Sequence, residues 1–263
     1  MKDMHSEHAE GFLSEKDIED EFAKGREIFT SEESKFPAIA NWFKANNDHP
    51  KTIPHHEKIG GKYDCDLIVD EWIKFYLTMP SKANPIGMSG TGYSTGDTGT
   101  ENAFLFRSKD VSVYFTAISP ARSPDKIRIV LTNKYPVLIP IYFAETSKVE
   151  NPSRDTESKL IELIKNDLKG IREVKATFDG KPLYGCVVIR NKPLHIPNIP
   201  KDNILGIPIE RLQQYDYTID LYHAGLWLLL KADNFTSGDH LLKITAKSIN
   251  YEVEGHMEIS AMV

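Results

Sequence analysis

The sequence lacks several features that would mark a specialised class of protein. Its 263 residues include only two cysteines, Cys65 and Cys186, too few for a disulfide framework or a multi-thiolate metal site, and we expect both to be buried free thiols. No stretch approaches the roughly 20 consecutive apolar residues of a membrane-spanning helix, since the longest apolar runs, residues 137–144 and 225–230, have the length of strands. The sequence therefore predicts no membrane span.

An excess of positive charge is also lacking. The chain has 32 Lys and Arg residues against 38 Asp and Glu residues, a net charge of −6, whereas non-specific nucleic-acid binding depends on cations that neutralise phosphates. We expect no nucleic-acid partner. Residues 1–30 have neither the cationic start nor the apolar stretch of an export signal. The sequence as it stands predicts a cytoplasmic protein, and a secreted or periplasmic one only if a leader has been removed.

The signatures of several enzyme classes are missing as well. Neither cysteine lies in a local pattern with a histidine, so we expect no nucleophilic catalysis. Residues 87–96 are rich in glycine but lack the Gly-Lys-Ser/Thr ending of a phosphate-binding loop, so we expect no nucleotide binding. The chain also has no His-x-His pair, which a cupin metal site needs. The fold is therefore easier to predict than the function.

The first part of the chain is mainly helical. Apolar residues recur at helical spacing in residues 14–29 and at about residues 39–43, and a third helix opens near Asp64 or Asp66 and stops at Pro80. We expect these helices to flank the main domain. They give the chain an apolar surface that needs covering, so an oligomer formed through the N-terminal helices is possible.

Beyond about residue 100 the apolar period becomes two, the period of a strand that faces a core on one side. Residues 251–263 show this alternation most clearly, and residues 226–230 are apolar on both faces, as in a central strand. One amphipathic helix, with its apolar stripe at Leu160, Ile161, Leu163, Ile164 and Leu168, interrupts the strands. The pattern predicts a mainly β protein, an antiparallel jelly-roll-like β-sandwich with N-terminal helices and one inserted helix.

Residues that interrupt the pattern predict the connections. Asp179-Gly180 is a strong signal for a two-residue hairpin turn, with residues 183–189 as the partner strand. Pro140 cannot donate to a sheet and marks an edge strand or a bulge. Several prolines keep residues 192–208 extended, and we expect this connection to remain without regular pairing.

We divide the chain into an N-terminal helical extension, residues 1–63, and a single globular β-sandwich domain, residues 64–263. The boundary follows the change from helical to strand spacing. The apolar positions of the extension are Ile18, Phe22, Trp42 and Phe43. If they form a docking arm, truncation before Asp64 changes the oligomeric state.

Four segments, in order, resemble a known family. They are residues 72–80 with Asn84-Pro85 and Thr91-Gly92, the segment VLIPIYFAE at 137–145, ATFDGKPL at 176–183, and GLWLLLK followed by SGDH within 225–240. Together they resemble a large, mostly uncharacterised family of prokaryotic β-sandwich proteins with an Asn-Pro and Thr-Gly loop, an Asp-Gly-Lys-Pro hairpin and a W-x-x-L-x-x-L-x-x-G-x-H terminal hairpin. The resemblance covers roughly residues 68–263 and implies a fold rather than a chemistry.

The long loop at residues 81–100 is the first candidate site, because it consists mainly of Gly, Ser and Thr. Long loops in compact domains are usually functional, and hydroxyls, free amides and an aromatic ring suit a sugar or another polar ligand. The candidate ligand-binding residues are Ser89, Thr91, Tyr93 and Thr95.

A metal site is the alternative, because a jelly roll can bring imidazoles and a carboxylate together from different strands. The candidate ligands are Glu145, His223 and His240, and His195 is a further histidine that could join them. In the competing structural interpretation, His240 hydrogen-bonds a hairpin and Glu145 satisfies buried backbone donors. Trp227 lies in an apolar strand and is expected to pack in the core.

Two functions follow from these candidates. The first is a non-enzymatic β-sandwich, without a cofactor, that binds a polar small molecule, a glycan or a protein partner. The second is a metal-dependent enzyme with a cupin-like pocket and one divalent transition metal. Loss of binding on deletion of residues 90–98 is expected for the first, and stoichiometric metal for the second.

Overall fold

The computed structural model describes most of the chain after residue 64. The described residues are 65–83, 103–107, 112–116, 127–132, 135–154, 156–183, 185–230, 236–249 and 252–262. They form a mainly β protein with two largely antiparallel sheets and few helices, which confirms the predicted class of fold. The helices predicted at 14–29 and 39–43 lie outside the described residues. No helix within the described ranges is long and apolar enough to span a membrane.

Three helices occur within the described residues. They are α1 (Cys65–Thr78), α2 (Glu157–Lys169) and α3 (Ile209–Gln214), and a short 3₁₀ turn at Ser81–Ala83 follows α1. Helices α1 and α2 are the two that the apolar spacing predicted in this part of the chain. Helix α2 begins after Thr156 and ends before Gly170. It buries Leu160, Ile164 and Leu168 of the predicted stripe, whereas Ile161 and Leu163 are only half-buried.

The described residues also form eleven strands. In chain order they are β1 (Ala103–Arg107), β2 (Ser112–Thr116), β3 (Ile127–Thr132), β4 (Val137–Ser147), β5 (Ile171–Phe178), β6 (Lys181–Leu183), β7 (Cys186–Ile189), β8 (Leu194–Ile196), β9 (Ile219–Leu230), β10 (Gly238–Ser248) and β11 (Glu252–Met262). The alternation at residues 251–263 corresponds to β11, and the apolar residues 226–230 lie in β9.

The strands form two sheets. The six-stranded sheet has the order β1-β2-β4-β9-β7, with β8 also paired to β9, and the five-stranded sheet has the order β3-β11-β10-β5-β6. Most neighbouring strands are antiparallel, as predicted, but β2 runs parallel to β4 and β3 runs parallel to β11. Strand β9 is central because it pairs with β4 on one side and with β7 and β8 on the other.

The two sheets pack face to face over an apolar core. Ile139 and Leu228 contribute to this core from the six-stranded sheet, and Phe178 and Ile244 contribute from the five-stranded sheet. Helix α2 adds its buried stripe to the same core. Removal of this apolar surface from water is the main force that holds the two sheets together.

A second apolar core lies on the opposite face of the six-stranded sheet. Trp72 of α1 packs there against a face that includes Leu138, Trp227 and Leu229. Residues of β9 therefore alternate between the two cores, which explains why residues 226–230 are apolar on both faces. Trp227 is fully buried, which confirms that it packs in the core.

The hairpin prediction is confirmed and its partner strand is corrected. Asp179 and Gly180 have φ values of 50° and 76°, and β5 pairs with β6 across this turn. The single strand predicted at 183–189 is two strands, because β6 ends at Leu183 in the five-stranded sheet and β7 begins at Cys186 in the six-stranded sheet. Apolar alternation is the same in both sheets, so it does not reveal which partner a strand has.

Two further connections can be compared with the sequence. The pairing of β4 with β9 shifts register between Pro140 and Tyr142, so Pro140 marks a bulge in an internal strand rather than an edge. Residues 192–208 are not wholly without pairing, because β8 lies within them and pairs with β9. A strand of three residues is too short to show apolar alternation, and prolines surround it, so the sequence pattern did not predict it.

The two cysteines are not free thiols, contrary to the expectation. Cys65 at the start of α1 and Cys186 at the start of β7 form a disulfide bond, with their Cα atoms 6.9 Å apart. Both are buried, as predicted. Their distance along the sequence gave no sign of the pairing, because only the packing of α1 on the sheet brings the two residues together.

Candidate functional site

The described residues show how the Gly/Ser/Thr loop begins, although Ser89, Thr91, Tyr93 and Thr95 lie outside them. The backbone N–H of Ser81 donates to the carbonyl of Asp202 at 2.6 Å, and that of Lys82 donates to the carboxylate of Asp202 at 3.2 Å. Asn203 in turn holds the backbone of Ile207 through both its amide atoms, at 2.9 and 2.8 Å. Hydrogen bonds therefore hold the backbone at the point where the loop begins.

Two of the three candidate metal ligands come together. Glu145 of β4 and His223 of β9 are directly opposite each other in an antiparallel pair, so their side chains lie on the same face of the sheet. His223 faces α1, because its Nε2 atom lies 2.9 Å from a carboxylate oxygen of Asp70 on that helix. This shared face points away from the five-stranded sheet.

His240 is elsewhere. It lies at the start of β10 in the five-stranded sheet, where Nδ1 is 2.8 Å from a carboxylate oxygen of Asp179 and Nε2 is 3.0 Å from the carbonyl of Thr236. The ring also stacks on Phe178. His240 thus hydrogen-bonds the hairpin, as the structural interpretation had it, and the six-stranded sheet separates it from the pair formed by Glu145 and His223.

The contact between α1 and the six-stranded sheet, which we call the α1 seam, contains a buried ionic network. Asp70 accepts from Nη1 of Arg190 at 2.7 Å through one carboxylate oxygen and from His223 through the other. Arg190 directly follows β7, and its backbone N–H donates to the carbonyl of His223 at 3.0 Å. All three side chains are buried, so each contact is made away from bulk water.

The rest of the seam is aromatic and covalent. Trp72 meets Trp227 edge to face at 5.1 Å and Phe143 at 5.4 Å between ring centroids, and Tyr76 stacks on Trp72 at 4.9 Å. The disulfide of Cys65 joins the first turn of α1 to β7. Helix α1 is therefore attached to the sheet by a covalent bond, an ionic network and an apolar cluster.

The chemistry open to this network follows from its geometry. A carboxylate only accepts hydrogen bonds, so Nε2 of His223 donates to Asp70, and in the tautomer with its single proton on Nε2 the ring has a lone pair at Nδ1. A carboxylate that orients an imidazole in this way is found beside metal ligands and beside catalytic bases. The described residues contain no group of three or more His, Cys, Asp or Glu side chains placed to hold a metal ion.

Two tyrosines, the half-buried Tyr142 and the buried Tyr222, have raised pKa values. Burial raises the pKa of Tyr142 to about 12, with the nearby charge of Asp167 adding to the effect. Burial also raises the pKa of Tyr222 to about 12, with contributions from Glu157 and Asp220. Both phenols therefore stay protonated at neutral pH, so they can donate hydrogen bonds but cannot act as bases.

His195 lies on the surface and joins neither group. It is on β8, and its Nδ1 atom is 2.9 Å from a carboxylate oxygen of Asp220 on β9. Both side chains are mostly exposed. Such a pair is well solvated, so its contribution to stability is small.

The ionic network was missed at the level of sequence, although one signal for it was present. Asp66 and Asp70 stand four residues apart on the buried face of α1, with Ile73 and Leu77 continuing the same face. Charged residues at the apolar positions of a helix need buried partners. Arg190, directly after four buried residues of β7, was the complementary signal.

The expectation of no nucleophilic catalysis overlooked a Gly-x-Ser-x-Gly spacing, which the loop contains at residues 92–96. In hydrolases with this spacing, the serine lies on a sharp turn between a strand and a helix. Residues 92–96 lie outside the described residues, and the first described element after them is the strand β1. The spacing alone assigns Ser94 no role.

The fold and the seam together define a mainly β protein in which a helix is fixed to one sheet by a buried ionic network. Comparison of the chain with protein-family models, with curated proteins and with solved structures gives no match. The function of the protein must therefore be inferred from the residues of this chain.

Proposed function

We propose that the protein is a non-enzymatic binding module for a polar small molecule, a glycan or a protein partner, and that the loop at residues 81–100 makes the contact. The observation that carries this proposal is the attachment of the loop's first residues, Ser81 and Lys82, to Asp202. Binding residues are commonly found on loops that a rigid scaffold positions.

Helix α1 supplies that scaffold. The helix ends at Thr78, three residues before the loop begins at Ser81, so whatever fixes the helix also fixes the start of the loop. The disulfide at Cys65 and the ion pairs of Asp70 hold α1 at two separate turns. A fixed helix lowers the entropy that the loop loses when it closes on a ligand.

The test uses the full chain with four hydroxyl deletions in the loop, Ser89→Ala, Thr91→Val, Tyr93→Phe and Thr95→Val. Wild type and variant are compared on an array of immobilised mono- and oligosaccharides, and unfolding temperatures confirm that both are folded. We expect binding of a subset of glycans by the wild type and its loss in the variant, because each deletion removes a hydrogen-bonding group.

A matched control removes hydroxyls elsewhere on the surface. Ser153→Ala and Ser158→Ala change exposed residues just before and within α2, far from the loop in sequence. This control is expected to bind like the wild type. Equal binding by the loop variant, the control and the wild type would count against the proposal, as would unchanged binding after deletion of residues 90–98.

The second candidate function, a metal-dependent enzyme with a cupin-like pocket, is favoured by one observation. Glu145 and His223 lie directly opposite each other, and Asp70 orients the imidazole of His223 as carboxylates orient metal-binding histidines. His240 supports this candidate less, because both its ring nitrogens already contact oxygen atoms of the hairpin.

Elemental analysis of the natively purified protein tests the second candidate. One equivalent of zinc, iron, manganese or copper that is lost in Glu145→Gln and kept in His240→Gln would support a site at Glu145 and His223. A metal-free protein, with the Glu145→Gln variant altered only in stability, would reject it.

The same seam supports a proposal about location. We infer that the protein matures in an oxidising compartment, secreted or periplasmic, because buried disulfides form and persist there and are rare in the cytoplasm. Alkylation of protein isolated without reductant, followed by mass spectrometry, tests this. A linked peptide pair containing Cys65 and Cys186 is expected, and two alkylated cysteines would favour the cytoplasmic location.

The family resemblance and the jelly-roll topology remain proposals. They are supported by the segment ATFDGKPL, which contains the β5–β6 hairpin, and by the segment GLWLLLK, which ends the central strand β9. The parallel pairs β2–β4 and β3–β11 are the features to compare first. A crystal structure of a member of that family with a different order of strands would reject the resemblance.

A further inference from the structure

One face of β9 meets α1. Three alternate residues of the strand lie along this face, namely His223, Gly225 and Trp227. A Cβ atom on Gly225 would lie 2.9 Å from Nε1 of Trp227, so the indole nitrogen is directly above this glycine. Neighbouring positions on one face of a strand are about 7 Å apart. The indole nitrogen therefore lies on the same face as the imidazole of His223, above the next position along this face.

The two side chains share an unusual property. His223 and Trp227 are both 0% exposed. Nδ1 of His223 and Nε1 of Trp227 are buried and have no hydrogen-bond partner among the residues that the structure describes. Buried polar atoms in native proteins are nearly always paired, because leaving them unpaired costs free energy. Two such atoms on one face of one strand point to a shared partner.

The chemistry of that partner follows from the two atoms. Nε2 of His223 donates to Asp70, and in the tautomer with its single proton on Nε2 the atom Nδ1 has a lone pair that needs a donor. The indole N–H of Trp227 only donates and needs an acceptor. The partner must therefore donate one hydrogen bond and accept another.

The space available restricts the size of the partner. A Cβ on Gly225 would lie 2.6 Å from the carbonyl oxygen of Tyr142 and 2.8 Å from Cβ of Phe143. Even a single methyl group on Gly225 would therefore be too close to its neighbours. The surroundings of Gly225 are closely packed, which favours water, the smallest partner that can both donate and accept, over a larger organic ligand.

We propose that His223 and Trp227 bind one internal water molecule, which accepts from the indole N–H and donates to Nδ1 of the imidazole. The carboxylate of Glu145 lies on the same face, opposite His223, and can accept the second hydrogen of the water. About three hydrogen bonds is typical of a buried water. The water extends the ionic network of Asp70 into the aromatic cluster, so that one connected polar chain specifies how α1 sits on the sheet.

The experiment is an NMR measurement of magnetisation transfer between water and the protein, made on the 263-residue chain with ¹⁵N-labelled tryptophan. The chain has three tryptophans, and the variant Trp227→Phe identifies the indole signal that belongs to Trp227. We expect a cross-peak between this indole proton and water, with the sign that a long-lived, bound water gives. The absence of that cross-peak in the folded wild type would overturn the proposal.

A second variant separates the water from the rest of the network. His223→Gln places an amide nitrogen where Nε2 stood, so the bond to Asp70 is kept while the acceptor at Nδ1 is removed. The cross-peak is expected to disappear although the protein stays folded. A cross-peak of unchanged intensity in this variant would overturn the proposal, and so would a metal at this position in an anomalous-scattering map of wild-type crystals.

Discussion

Two regions of the molecule contain the same contact in different surroundings. In the α1 seam, Nε2 of His223 lies 2.9 Å from Asp70, and the side chains are 0% and 7% exposed. At the β5–β6 hairpin, Nδ1 of His240 lies 2.8 Å from Asp179, and the side chains are 10% and 42% exposed. The distances are nearly equal, so any difference in what the two contacts contribute must come from burial and from the other partners of each aspartate.

Those other partners differ in kind. Asp70 also pairs with Arg190, so removing its charge removes a buried counter-ion from the guanidinium. Asp179 also accepts from the backbone N–H of Leu241 at 2.9 Å, a neutral donor close to water. A short Asp–His distance is therefore a poor guide to energy, and the same Asp→Asn change should have very different costs in the two regions.

The largest effect is expected for Asp70→Asn. The change keeps the shape of the side chain and removes the charge that balances Arg190, so the free energy of unfolding should fall by about 3–5 kcal/mol. Urea unfolding followed by tryptophan fluorescence measures this. Glu71→Gln is the matched control, because Glu71 is the next residue of α1 and its pair with Lys74 is well exposed.

The control should change the free energy of unfolding by no more than about 0.5 kcal/mol. If Asp70→Asn costs no more than Glu71→Gln, the buried network has no special role. The double variant Asp70→Asn with Arg190→Met sharpens the comparison. It should recover much of the loss, because the buried charge of Arg190 is then absent as well.

The second effect concerns the covalent bond of the same seam. The double variant Cys65→Ala with Cys186→Ala should lose about 2–4 kcal/mol, because the disulfide closes a long loop and restricts the unfolded chain. Calorimetry of the double variant, with the reduced wild type as a control, measures it. Unfolding temperatures equal to that of the oxidised wild type would show that the disulfide adds nothing to the other contacts of α1.

The comparison also explains what could be predicted from the sequence. The strands, helix α1 and the Asp179 turn follow from local signals, because apolar spacing and turn residues act over a few positions. The network of Asp70, Arg190 and His223 depends on three segments that meet only after folding. Burial of Asp70 could be inferred from its place on the apolar face, but its partners could not, and the pairing of the cysteines was missed for the same reason.

The third effect is smaller and belongs to the hairpin. Asp179→Asn keeps an oxygen that can accept from Leu241, and asparagine tolerates the positive φ of 50° at this position. Only the charge beside His240 is lost, so the free energy of unfolding should fall by about 1 kcal/mol. Thermal unfolding measures this. A loss as large as that of Asp70→Asn would mean that burial does not account for the difference between the two regions.

The smallest effect is expected where the same contact is fully hydrated. Nδ1 of His195 lies 2.9 Å from Asp220, but the side chains are 69% and 62% exposed. Water solvates both groups whether or not they touch, so Asp220→Asn should cost less than about 0.5 kcal/mol, and salt should reduce even this by screening the pair. The measurement is urea unfolding of Asp220→Asn, Asp179→Asn and Asp70→Asn at low salt and in 1 M NaCl, which places the three free-energy changes on one scale.

If the cost of the three changes follows the order of burial, then burial, and not the distance between Asp and His, decides what each pair contributes. If Asp220→Asn costs as much as Asp179→Asn, exposure does not separate the two surface pairs, and the backbone bond of Asp179 becomes the feature to test next.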